Sequence, residues 1–218
     1  ALVALYNSTN GQSWNATWDI NASEDSWYGV KIERNQIVEL NLQFNNLEGN
    51  LPEEIGNLVN LRKINLGFNK LQGKLPTSLS NLKELTSLEL FMNNFEGTIP
   101  NELGELKKLE YLKLYSNQFS GEIPASLMEL TSLKELLLGS NFLTGIIPNE
   151  IRSLTQLKKL SLMDNKLEGE IPEEIAQLKN LEELILSNNG LTGDLPLALM
   201  NLIKLIIIIT IMMFGLIK

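Results

Sequence analysis

The chain has no cysteine and no histidine in its 218 residues. Without cysteine there is no disulfide, no thiol nucleophile and no thiolate metal site. Without histidine the Ser-His-Asp triad is excluded, and the commonest general base and zinc ligand are both missing. Positive charge is short as well. Lys and Arg number 18 against 26 Asp and Glu, and the net charge of −8 argues against a nucleic-acid partner. No phosphate loop or dinucleotide fingerprint occurs, because the glycines keep a spacing of their own. No catalytic residue, metal or cofactor is expected.

Proline is scarce too, with only seven, and their positions organise the whole sequence. They fall at Pro52, Pro76, Pro100, Pro124, Pro148, Pro172 and Pro196, always 24 residues apart. Asparagine recurs at the same interval from Asn45 to Asn189, and glycine from Gly49 to Gly193. The repeat reads L-x-x-L-x-L-x-x-N-x-L-x-G-x-[LI]-P from Ile37 to Pro196. Such a period with leucines so spaced is the mark of a leucine-rich solenoid, an α/β fold whose parallel strands line a concave face.

One repeat explains itself physically. In Leu61 to Leu66 the apolar residues alternate with Lys63 and Asn65, which predicts a short half-buried strand. Stacked about 4.8 Å apart, seven such strands span roughly 35 Å. Asn69 follows where the chain turns, and its amide can satisfy unpaired backbone groups, so the asparagines should form an internal ladder. Gly73 permits a backbone conformation barred to other residues, and Pro76 suits the start of a helical turn. Segments such as Pro52 to Leu58 then read as short 3-10 or helical turns on the convex face. Their leading acids sit where the turn dipole favours them, so much of the negative charge is a solvated surface. Glu135 and Glu183 share a column on the sheet, but Lys159 lies between them, and alternating charge is the simpler account than a carboxylate pair.

Both ends depart from the repeat. Residues 1–36 begin with a short helix, Ala1 to Tyr6, and hold all the tryptophans: Trp14, Trp18 and Trp27. A solenoid needs its first repeat covered, and large aromatics suit a hydrophobic cap; a carbohydrate-stacking cluster is the alternative. Asn7, Asn15 and Asn21 each open a glycosylation sequon in a chain that travels a eukaryotic secretory route. The seven clear repeats occupy 37–204. Beyond them Met213 stands where asparagine should, and Ile217 where glycine should. Residues 205–218 read as a degenerate apolar terminal repeat, or as the start of a membrane anchor. The 13 residues from Leu205 to Ile217 would make roughly 20 Å of helix, short of a roughly 30 Å hydrocarbon core.

The half-repeats Leu71 to Pro76 and Phe119 to Pro124 resemble those of the plant-type extracellular repeats of receptor-like kinases, receptor-like proteins and polygalacturonase inhibitors. The cap, Ala1 to Trp18 and then Trp27-Tyr28-Gly29-Val30, is similar to caps of bacterial, algal and protist surface proteins. In plant caps paired cysteines bracket this Trp-x-Gly-Val segment. Asp25 and Ile32 stand there instead. The resemblance implies a secreted or cell-surface recognition module for a protein or peptide, such as a fragment of a receptor-like ectodomain. It also admits an inhibitor of an extracellular polysaccharide hydrolase, or a carbohydrate-binding module. Ice-binding solenoids exist, but the columns here are mixed, with no flat rank of threonine.

Since Leu, Asn, Gly and Pro are assigned to structure, the variable positions around the strand leucines carry the binding argument. They bring Phe44, Phe68 and Met92 into one column and Phe91, Tyr115 and Met163 into the next, with Tyr111, Lys113 and Leu137 beside them. A cluster of exposed aromatics and methionines marks an interaction surface.

Overall fold

A computed structural model describes residues 1–202 and the strand Ile206–Ile208. The apolar tail outside that strand, where the membrane-anchor reading falls, lies outside the described residues. Among the described residues no helix is long and apolar enough to cross a membrane.

The alternating pattern produces its strands on schedule. Gln36–Asn41, Lys63–Asn65, Ser87–Glu89, Tyr111–Lys113, Glu135–Leu137, Lys159–Ser161, Glu183–Ile185 and Ile206–Ile208 pair in parallel, each with the next repeat. Register is constant, with Ile64, Leu88, Leu112, Leu136, Leu160 and Leu184 side by side and all fully buried. The L-x-G halves form a second, flanking set of parallel strands: Glu48–Asn50, Lys70–Gly73, Asn94–Gly97, Gln118–Glu122 and Phe142–Thr144, followed by the separate pair Glu168–Glu170 and Gly190–Thr192. Between the two layers lies the leucine core, into which Phe95 and Phe119 stack with ring centroids 6.3 Å apart.

The asparagine ladder forms as expected. Asn117 Oδ1 accepts from the Phe119-type position of the preceding repeat, Phe95 N, at 3.0 Å. Its Nδ2 donates to the carbonyls of Leu90, Leu114 and Tyr115. One side chain thus closes its own turn and ties it to its neighbour, which answers the demand that buried backbone groups be paired. Among the described residues no buried side-chain polar atom lacks a partner.

The glycine column is needed for conformation: Gly97 has φ +78°, and the Lys74 side chain lies over it 3.1 Å from where a Cβ would sit. The convex turns are 3-10, from Glu53–Asn57 through Asn101–Glu105 to Leu197–Asn201. The proline sits one step earlier than the sequence suggests, at the cap with extended backbone (Pro100 ψ 134°), where its carbonyl accepts from Leu103 N. The convex charges pair from repeat to repeat, as in Lys83–Glu105 at 2.6 Å and Lys107–Glu129 at 2.7 Å. These pairs are exposed and contribute little each.

The cap is hydrophobic. Helix Leu2–Ser8 leads into a cluster in which Trp14, Trp18 and Trp27 are all buried, with Trp18 stacked on Trp27 at 4.7 Å. Their indole nitrogens donate to the carbonyls of Thr9, Tyr28 and Asp19 at 2.8–2.9 Å. Burial removes the carbohydrate-stacking alternative, since no face of these rings is free to receive a sugar. In place of a disulfide the cap is held by indole packing and by a hairpin that the sequence pattern does not announce. Val30–Glu33 runs antiparallel to Gln36–Asn41 through a turn with positive φ at Arg34 and Asn35. Glu33 is bracketed by Lys31 and Arg62, whose hydrogen bonds hold its carboxyl below the ordinary range.

Candidate functional site

After Gln36–Asn41 the concave strands are only three residues long, and in every repeat the chain leaves the sheet close to its last strand leucine. The column Phe44, Phe68, Met92, Ser116, Ser140, Asp164 and Asn188 therefore lies in the turn, not on the strand. Every member has a left-handed backbone, with φ between 52° and 57°. Aspartate and asparagine tolerate that conformation. For a phenylalanine or methionine it is an outlier that costs of order 1 kcal/mol or more. The turn is held by its hydrogen bonds: Phe68 N donates to Phe91 O at 3.0 Å and Met92 N to Tyr115 O at 2.9 Å.

The rings exploit this placement. Phe44 stacks on Phe68 at 4.0 Å, Phe68 meets Phe91 edge-on at 5.4 Å, and Phe91 stacks on Tyr115 at 4.8 Å. Four aromatics from four successive repeats make one continuous ladder across the concave rim. Phe44 is 59% exposed and Met92 40%, while Phe68 and Tyr115 are half-buried. Burial pushes the Tyr115 hydroxyl up; nearby Lys113 and Glu89 act in opposite senses and change this less. Tyr115 is a neutral hydrogen-bonding phenol at physiological pH.

Phe91 corrects the expectation of an exposed side chain. It is 6% exposed, because its ring fills the space over Gly67 and is covered by Phe68 and Tyr115. Phe91 is therefore the ladder's foundation and not part of its open surface. Tyr111, Lys113 and Leu137 are half-buried on the strands that follow, and Met163 is half-buried just past the end of Lys159–Ser161. Lys113 is held between Glu89 (3.4 Å) and Glu135 (3.6 Å), and its Nζ lies 5.8 Å from the Tyr111 ring centroid. Leu137 and Met163, with Tyr115, line a concavity of about 290 Å³ that also involves Gly139, Ser161 and Ile185.

Sequence reasoning missed Gly139, Ile185 and Asn15 as parts of this face. A glycine standing in the column of Phe91, Tyr115 and Met163 was the available signal for the first. Asn15, read as a glycosylation site, joins cap to ladder: its Nδ2 donates to Phe44 O at 2.9 Å and its backbone N to Asn45 O at 3.1 Å. Asn7 and Asn21 are exposed. Among the described residues no cluster of acids could hold a metal ion.

With this geometry in hand, comparison with known proteins is direct. A leucine rich repeat family model matches residues 107–167 and 131–191, and a second matches 36–58, 60–82 and 84–106. The chain belongs to the leucine-rich repeat family. Among solved structures it is similar to the PEPR1–AtPEP1 structure, with 36% identity and a TM-score of 0.88 over 94% of this chain. The ectodomain of the Arabidopsis receptor kinase HAESA, solved with an N-terminally extended IDA peptide hormone ligand, is 31% identical over 94% of this chain, with a TM-score of 0.65. A plant ice-binding protein matches 89% of it at 31% identity and a TM-score of 0.82. The chain spans 30%, 43% and 64% of those three chains respectively. Comparison with curated proteins gives no match. The resemblance to receptor-type ectodomains thus stands, as does the α/β solenoid with its curved parallel sheet and convex 3-10 turns.

Proposed function

We propose that this protein is a secreted or surface-displayed recognition module, without catalytic activity, that binds a protein or peptide along its concave face. The observation that carries the reading is the ladder Phe44–Phe68–Phe91–Tyr115. In the last repeats the turn column holds Asp164 and Asn188, which suit the left-handed backbone. In the first three it holds Phe, Phe and Met, which strain it. Strained, bulky and half-exposed residues in place of ones that fold better are what a binding surface retains. Two of the similar structures, PEPR1–AtPEP1 and HAESA with its peptide hormone, are complexes of this architecture, and that supports a peptide ligand. The flanking and concave columns are mixed in composition and offer no ice-like rank, so the likeness to an ice-binding protein reflects the scaffold.

The test is selection of a random linear peptide library on the wild-type chain, followed by titration of the leading synthetic peptide against Phe68→Ala/Tyr115→Ala. Loss of binding with a folded variant is the expected result. Unchanged affinity in that variant, or a selection that enriches nothing, overturns the reading.

A further inference from the structure

The column that runs Gln43, Gly67, Phe91, Tyr115, Gly139, Met163 and Ser187 contains two glycines, and the fold treats them differently. Neither has a left-handed φ, so neither is demanded by the backbone. At Gly67 the missing side chain is replaced by the Phe91 ring, whose Cζ lies 2.6 Å from where a Cβ would be. At Gly139 the Met163 stem leans in, with Cγ 2.9 Å from that point, and the Met163 carbonyl oxygen and Ser161 Oγ each lie 3.3 Å from it. The rest of the space stays open as the 290 Å³ concavity, directly beyond Tyr115, the last ring of the ladder.

Its chemistry is legible. Leu137, Leu160, Ile185 and Met163 supply apolar walls. The charges in its lining are balanced, since Lys159 faces Glu183 at 3.5 Å. The serine hydroxyls in its lining are those of Ser161 and of Ser140, whose Oγ shares a hydrogen bond with Asp164 at 3.2 Å. An occupant bearing a charge would meet no uncompensated opposite charge, whereas an apolar side chain loses water and gives up no hydrogen bond.

We propose that this concavity is a socket for one uncharged, apolar side chain of an extended peptide that continues onto the aromatic ladder, and that Gly139 and Met163 set the size of the residue accepted. The proposal rests on the concave-face reading above and names the ligand's anchor. Methionine is suited to such a wall, because its unbranched thioether refits to different shapes.

The probe is the leading synthetic peptide from the library selection. An alanine scan of it should show one dominant apolar position, and replacing that residue by Asp or Lys should abolish binding. Gly139→Leu fills the socket and should weaken the peptide about thirtyfold or more, the scale of an interface hot spot. Met163→Ala enlarges the socket and should shift preference at the anchor from Leu towards Trp. Should Gly139→Leu fold poorly, Gly139→Ala places one methyl against the movable Met163 stem, with the Met163 carbonyl oxygen and Ser161 Oγ at 3.3 Å, and should weaken binding about fourfold. Wild-type affinity in the folded Gly139 variants, with Phe68→Ala/Tyr115→Ala inactive, overturns the socket and leaves the ladder standing. Wild-type affinity in all of them overturns both.

Discussion

The first and second halves of the concave face share a backbone and differ in what stands on it. From Phe44 to Tyr115 the variable columns are aromatic and close-packed, ring on ring. From Leu137 to Ile185 they are aliphatic, small and paired-charge, with a hole at Gly139. Strand register, asparagine ladder and left-handed turn are the same in both. A solenoid can therefore vary its surface without altering its frame, because each repeat contacts only its neighbours.

That comparison can be broken most forcefully at the frame. Asn93 and Asn165 hold equivalent places, each accepting from the preceding repeat's backbone and donating to three carbonyls. Replacing either by alanine should lower stability by about 4 kcal/mol, by the same amount in both halves, because several buried groups lose their partner. Chemical denaturation of the two variants checks this, and unequal losses would mean that the halves do not share one frame.

The surface columns should behave oppositely. Phe91→Ala removes a buried ring beneath two others and should cost about 3 kcal/mol. Met163→Ala, in the same column but half-buried beside a cavity, should cost about 1 kcal/mol. Equal effects in thermal melts would contradict the distinction between a packed ladder and an open socket. A smaller effect sharpens it further. Phe44→Asn relieves the left-handed backbone but loses one stacked face, so its stability should stay within about 0.5 kcal/mol of wild type. A marked loss would show that Phe44 is retained for folding.

These contrasts also explain what could be read beforehand. Leu112, Asn117 and Gly121 each occupy a position that recurs in every repeat, so the period reports their environment seven times over. The aromatics as a group were legible because they interrupt that regularity. The burial of Phe91 was not, since it depends on Gly67 being empty one repeat away. Nor was the left-handed turn under Phe68, because a residue conformation set by tertiary hydrogen bonds overrides what Phe prefers. The cap hairpin escaped for a similar reason: Val30–Glu33 becomes a strand by pairing with Gln36–Asn41, and neither its length nor its alternation marks it in isolation.

The central claim is that recognition belongs to the concave ladder. Phe142 and Ile146 are exposed hydrophobic residues on the flanking side of the same molecule, and they supply the matched control. The decisive measurement is calorimetric titration of the selected peptide against Phe68→Ala/Tyr115→Ala and against Phe142→Ala/Ile146→Ala, side by side. The account predicts that the concave pair abolishes binding while the flanking pair leaves the affinity unchanged; retained binding by the concave variant, or its loss in the flanking one, would contradict it.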